Sequence, residues 1–338
     1  MMIDLSRNGN ETANSYIIQK PGNYCFPLVY GNALLNNKPN EKSYTKLGGD
    51  KQADFYDYRN NIITRPEIPD KIYETKILVW DSSREFISDL RTENDYIKFQ
   101  ITYVPDDGAN YILGVLDWSG KVVWSWHLWL WKSELKDQDL GNGYKVLNIN
   151  LGTKGNRVMY YQWGRKDPFN PLLTHRYKST YKLAVTIGEA IQSPWMFFHG
   201  QSYEYNNNWV ALKNYNNYWN SWCNDYQRNE KVEKTIYDPC PPGYNVPRRD
   251  ILNKVNIKIL PGAEITIKDK EDIIFPKYDL IGINGEIYKW KDDNYYWTAG
   301  NYEKDSANMF SAERDRFLYC NGYIRIMGLP IRPQKREE

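Results

Sequence analysis

Long helical periodicity is scarce, and short apolar runs bounded by turn residues recur along the chain, densely from residue 72 onward. That pattern predicts a mainly β protein. The clearest case is "VVWSWHLWL" at 122–130, where Trp124, Trp126, Leu128 and Leu130 fall on one face. Ser125, His127, Trp129 and Trp131 fall on the other. Both faces are largely apolar, so this strand is predicted to be covered on both sides or to lie between two domains. "YILGVL" at 111–116 precedes it, and Trp118-Ser119-Gly120-Lys121 between them predicts a hairpin. "NSYIIQKPGNYCFPLVYGNALL" at 14–35 reads as two strands separated by Pro21-Gly22, and "YETKILVWDS" and "YIKFQITYVP" read as two more. The polar run "KSELKDQDLGNG" at 132–143 is a solvated linker, which divides the chain into domains at 1–135 and 136–338. In "MYYQWGRKDPFNP" at 159–171, strand geometry sends Tyr160 and Gln162 one way, Tyr161 and Trp163 the other. Gly164 ends that strand and Asp167-Pro168 shapes a turn, so Arg165 and Lys166 are expected to be solvated or paired with Asp167.

Composition sharpens this picture. Aromatic residues make up 15% of the chain, with 29 Tyr and 13 Trp, so large amphipathic rings supply much of the core. Such rings suit pleated surfaces and binding faces. The net charge of +2 provides no global field to recruit nucleic acid or an anionic membrane. No run approaches the roughly 18–20 apolar residues of a membrane-spanning helix. "MMIDLSRNGNETANSYIIQ" has neither a basic opening nor an apolar stretch, so it is not a signal peptide. Richness in Tyr, Trp and Asn nevertheless points to an exported bacterial surface protein, which implies a missing upstream segment or a misplaced start.

Catalytic signatures are weak. Cys25, Cys223, Cys240 and Cys320 form no C-x-x-C pair and read as buried thiols, with one disulfide among the last three as the alternative. His127, His175 and His199 lie far apart, and His127 among tryptophans reads as a hydrogen-bonded core residue. Asp137, Asp139 and Asn142 lack the closing Glu of a calcium loop. No phosphate loop, dinucleotide fingerprint or nucleophile elbow occurs, so no catalytic residue, cofactor or metal is expected. One segment stands out for binding, 201–227, "QSYEYNNNWVALKNYNNYWNSWCNDYQ". Ring faces there can stack on sugar C–H faces while Asn amides donate and accept hydrogen bonds. The candidate ligand-binding residues are Tyr205, Trp209, Tyr215, Tyr218, Trp219 and Trp222, against the alternative that Trp209, Trp219 and Trp222 pack beneath a long loop. With only Lys213 inside it and Arg228 just after it as cations, the segment is unsuited to nucleic acid.

"YYQWGRKDPF" at 160–169, "YDPCPPGYNVPRRD" at 237–250, "YYWTAG" at 295–300 and "GLPIRP" at 328–333 occur in an order that resembles the C-terminal module of Bacteroidetes fimbrillin-like surface proteins. That module is similar to the Fibrobacter major paralogous domain. The upstream "IDLSRNGNETANSYIIQKPGNYCFPLVYGN" and "VVWSWHLWL" resemble the domain preceding it. The resemblance implies an N-terminal β-sandwich-like domain followed by a mixed α+β C-type-lectin-like domain with long loops. It implies a non-enzymatic adhesion or fimbrial tip component on the cell surface, with a host or bacterial glycan or protein, or other fimbrial subunits, as partners. A secreted enzyme acting on glycans or thiols, on a formylglycine-generating-enzyme-like fold, is the alternative. The family's closing strand often carries a Cys where this chain has Pro333, which leaves Cys240 free or paired with Cys223 or Cys320.

Overall fold

The computed structural model describes residues 1–8, 10–46, 54–182, 185–199, 208–210, 222, 233–303, 306–313 and 316–337. The protein is mainly β. Eight strands of the first half build two four-stranded sheets: β1 (Met2–Asp4), β2 (Ser15–Ile18), β3 (Gly22–Pro27), β4 (Glu74–Trp80), β5 (Ile87–Glu93), β6 (Tyr96–Ile101), β7 (Ala109–Leu116) and β8 (Val122–Leu130). One sheet runs β1-β3-β6-β5 and the other β2-β8-β7-β4. The two strands of 14–35 therefore do not pair with each other. Pro21, which cannot donate to a ladder, lies where the chain crosses between sheets.

The sheets meet face to face through aromatic rings. Phe26 of β3 stacks on Tyr16 of β2 at 4.7 Å and meets Trp126 of β8 at 5.3 Å. Phe99 of β6 closes the same layer at 6.2 Å from Phe26. The β7–β8 hairpin forms as its sequence predicts. Gly120 takes a φ of +77°, and Asp117 Oδ1 accepts the amides of Ser119 at 2.9 Å and Lys121 at 3.1 Å. A side chain that caps the turn in this way and a glycine at positive φ together make the reversal cheap.

Strand β8 is buried along its entire length. Trp126 faces the opposite sheet, whereas Ser125, His127 and Trp129 reach Asp167, Asn110 and Thr153 on the other side. The period-two reading of a strand covered on both faces thus holds. The polar run 132–143 is largely exposed but is not a plain linker, because Asp137–Asp139 pairs as a strand with Lys145–Leu147 and Leu140 is buried, and it does not mark a break in the core. One hydrophobic cluster extends from Ala13 to Ile331 with members from both halves. A second, smaller cluster gathers Leu140, Val146, Ile265, Phe275, Tyr296 and Phe310 in the second half.

The second half combines many short strands and turns with a meander of three longer strands. Among them are β9 (Lys145–Leu147), β10 (Tyr161–Gln162), β11 (Met196–His199), β12 (Tyr244–Asn245), β13 (Asp293–Glu303), β14 (Ser306–Glu313), β15 (Arg316–Ile324), β16 (Gly328–Leu329) and β17 (Gln334–Lys335). β17 lies between β9 and β12, while β13-β14-β15 form an antiparallel meander. The one α-helix among the described residues, α1 (Ile187–Gln192), opens with a capping box in which Thr186 and Glu189 satisfy each other's backbone amides. Residues 249–254 form consecutive turns. Among the described residues no helix is long and apolar enough to cross a membrane.

Candidate functional site

The signature "YYQWGRKDPF" forms the centre of the second half, and its charges are not on the surface. Arg165, Lys166 and Asp167 are 5%, 4% and 6% exposed. Solvation of Arg165 and Lys166 is therefore overturned, while the pairing of Lys166 with Asp167 holds at 2.7 Å. The physical reason is that remote segments supply partners. Lys166 donates to Ser125 O at 2.9 Å, and the Ser125 hydroxyl donates to Asp167 Oδ1 at 2.7 Å. Arg165 donates to Gln162 Oε1 at 3.1 Å, to Ser193 O at 3.3 Å and to Met196 O. Its guanidinium lies 5.1 Å from the centre of the Phe198 ring and 5.5 Å from that of Trp209. Burial pulls Lys166 down from its ordinary value, against the opposing pull of Asp167, and Arg165 down to about 10. Gly164, at φ +89°, turns the chain so that both cations enter the core.

Ser125, Lys166 and Asp167 together have the composition of a nucleophile with its base. Ser125 is wholly buried in a strand covered on both faces, and the adjoining cavity holds about 20 Å³ of room for the centre of a water molecule. A cavity of that size takes one water and no substrate. The cluster is scaffold.

His127 is likewise scaffold, as its sequence setting predicts. Its Nε2 lies 2.8 Å from Asn110 Oδ1, and the Asn110 amide donates to Asp81 Oδ2 at 2.8 Å and Gly152 O at 3.2 Å. The amide oxygen is thus an acceptor, so Nε2 carries the ring proton. Nδ1 lies 3.2 Å from the Ser15 hydroxyl. Complete burial pushes the His127 pKa down to about 3.

The "YDPCPPGYNVPRRD" motif works as a clasp. Asp238 accepts the amides of Cys240 at 2.7 Å and Val246 at 2.8 Å, while its own carbonyl takes Asn14 at 2.8 Å and Asn32 at 3.0 Å. Tyr237 Oη donates to Tyr56 O at 2.6 Å. Cys240 is a free, fully buried thiol, and burial raises its pKa well above the ordinary thiol value. A thiol so placed is inert rather than reactive.

Of the six aromatic residues expected to form a binding face, two are described and both turn inward. Trp209 is 3% exposed and donates its indole N–H to Trp163 O at 2.8 Å. Trp222 is 0% exposed and donates to Arg165 O at 3.1 Å, with its ring 5.6 Å from that of Trp163. Asn208 beside them accepts from Arg325 at 3.0 Å, and the Arg325 guanidinium covers the Trp163 ring. Rings held in this way present no face to a ligand and pin the aromatic segment onto the signature. Tyr205, Tyr215, Tyr218 and Trp219 lie outside the described residues. Composition alone could not separate inward from outward rings, because the segment has no apolar period to define an inside.

A groove of about 850 Å³ lies between residues 7–42 of the first half and residues 233–248 and 334–337 of the second, and Gly243, Asn245 and Arg248 of the clasp motif line part of it. Among the described residues no group of three or more His, Cys, Asp or Glu side chains is placed to hold a metal ion. Comparison with known proteins returns no matching family model, no similar curated protein and no similar solved structure.

Proposed function

We propose that the protein is a non-enzymatic adhesion component of a bacterial cell surface, fimbrillin-like in organisation. In this reading it binds a glycan or protein, or a neighbouring fimbrial subunit, through the aromatic and Asn-rich segment 201–227. The observation that carries the reading is the pinning of that segment at Trp209 and Trp222 to the carbonyls of Trp163 and Arg165 in the signature, and at Asn208 to Arg325. Loops that recognise partners work best when a rigid scaffold fixes their ends, because less freedom is lost on binding. Tyr215, Tyr218 and Trp219 fall between the two anchors in sequence, and the Tyr, Trp and Asn side chains there are those that give contact area with little entropy loss.

The test is a glycan and host-protein array probed with the parent and with a variant carrying Tyr215→Ala, Tyr218→Ala and Trp219→Ala. The expected result is binding by the parent and at least tenfold weaker binding by the variant at unchanged Tm. Equal binding by the two refutes the site. A parent that binds nothing on either array refutes the adhesive role.

A further inference from the structure

One face of the β13-β14-β15 meander carries a row of aromatic rings that leads from the core to solvent. Trp297 is fully buried and donates its indole N–H to Tyr161 O at 2.7 Å. The Tyr323 ring lies 6.5 Å from it, Tyr295 stacks on Tyr323 at 5.5 Å, and Trp290 meets Tyr295 edge to face at 5.7 Å. Trp290, the outermost ring, is 40% exposed. Strand alternation and register place Asp293, Ser311 and Glu313 on the same face as Tyr295.

Asp293 and Glu313 stand directly opposite each other in the β13–β14 pairing, and like charges so placed cost stability. Each carboxylate receives one neutral donor: Asp293 Oδ2 accepts from the Tyr295 hydroxyl at 3.2 Å, and Glu313 Oε1 from the Ser311 hydroxyl at 3.1 Å. Among the described residues neither carboxylate forms an ion pair. Arg316 is in register with Glu313 on β15, and Lys289, Lys291 and Asp292 flank Trp290. All four of these side chains are exposed and none of them bonds to the two carboxylates. The negative field reaches the neighbouring phenols. Burial raises the pKa of Tyr295 and Tyr323, and the charges of Asp293 and Glu313 raise both further, with no described basic side chain offsetting them.

The chemistry of this end of the face narrows its occupant to a cation. A hydroxyl-rich ligand needs donors as well as acceptors, and the Tyr295 and Ser311 hydroxyls are already committed to the carboxylates. Two carboxylates fall short of a metal shell, and among the described residues no third His, Cys, Asp or Glu joins them. A guanidinium favours both oxygens of one carboxylate, whereas carboxylates that face each other from adjacent strands suit a compact ammonium with a donor for each. An exposed indole beside them suits an apolar stem, and ring faces attract the charge itself. We infer that this end of the meander is a docking site for a lysine side chain of a partner polypeptide, with the ammonium between Asp293 and Glu313 and the methylene stem along Trp290.

The experiment is isothermal titration of the full chain with three hexapeptides, in which glycine alternates with lysine, with arginine or with trimethyl-lysine. The expected result is binding of the lysine peptide, about threefold or more tighter than either of the others, and weakening as salt rises. Replacing the carboxylates together as Asp293→Asn and Glu313→Gln lowers the affinity by about tenfold or more, since hydrogen bonds to charged acceptors are lost. That variant keeps the shape of both side chains and removes a like-charge pair, so its Tm stays at or above that of the parent. Trp290→Ala, at an exposed ring, lowers the affinity by about threefold. Failure of the lysine peptide to bind at millimolar concentration overturns the proposal. So does equal or tighter binding of the arginine or trimethyl-lysine peptide, or undiminished binding by the carboxylate variant.

Discussion

His127 gives the most direct physical test of the fold, because its burial dictates a response to acid. In the unfolded chain the ring titrates near its ordinary value of about 6.5. In the folded protein burial holds its pKa at about 3. Between those values the unfolded state binds a proton that the folded state refuses, so stability falls as pH falls from 6.5 toward 3 and is fully present above 6.5. One pKa unit corresponds to about 1.4 kcal/mol, so at pH 4 the ring has withdrawn about 3 kcal/mol of folding free energy. Other groups also titrate over that range, and the comparison that isolates this one is His127→Gln, whose neutral amide cannot take up the proton. Urea unfolding of both proteins at pH 7.5, 5.5 and 4.0 measures the effect. The parent should lose about 3 kcal/mol more than the variant between pH 7.5 and 4.0, whatever the variant's own stability at neutral pH. Parallel losses in the two proteins would show that the ring is accessible to protons in the folded state and would refute the reasoning.

Asp167→Asn leaves the Lys166 ammonium buried without its counter-ion and should cost about 3–5 kcal/mol by denaturant unfolding, whereas replacing the pair together as Lys166→Met and Asp167→Leu should recover most of that loss. Trp222→Ala removes a fully buried ring and its bond to Arg165 O, and should lower stability by about 3–5 kcal/mol, read as a fall in Tm. A Cβ added at Gly31 would stand 2.3 Å from Asn14 Oδ1, so Gly31→Ala should disturb the Asn14 bonds to Ile236 O and Asp238 O and cost about 1–3 kcal/mol by the same assay.

Much of the β architecture was legible where neighbours in sequence are neighbours in space. The β7–β8 hairpin was readable because its turn chemistry is local, and the two covered faces of β8 were readable because a strand alternates strictly. The pairing of β2 with β8, in parallel across more than a hundred residues, leaves no local trace. The same limit explains Arg165 and Lys166. Their burial depends on Ser125, Ser193 and Met196, none of which is near enough in sequence to signal a partner. Inward packing of Trp209 and Trp222 was open in the sequence as an alternative, but their partners were not legible, since indole donors find carbonyls only after the chain has folded back. The groove was invisible for the same reason, with Arg7, Lys234 and Arg336 drawn from three distant stretches.

The clasp formed by Asn14, Asn32 and Asp238 has a consequence for the order of events during synthesis. Asn14 bonds to carbonyls 222 and 224 residues later, and Asn32 to one 206 residues later. Strand β2, which continues from Asn14, therefore cannot be fully secured until residues 236–238 have left the ribosome. A protein built on such distant contacts folds slowly, since the closure entropy of long loops is met before the contacts that offset it form. Its earliest strands remain available to chaperones, or to other unfolded chains, for most of the time that translation takes.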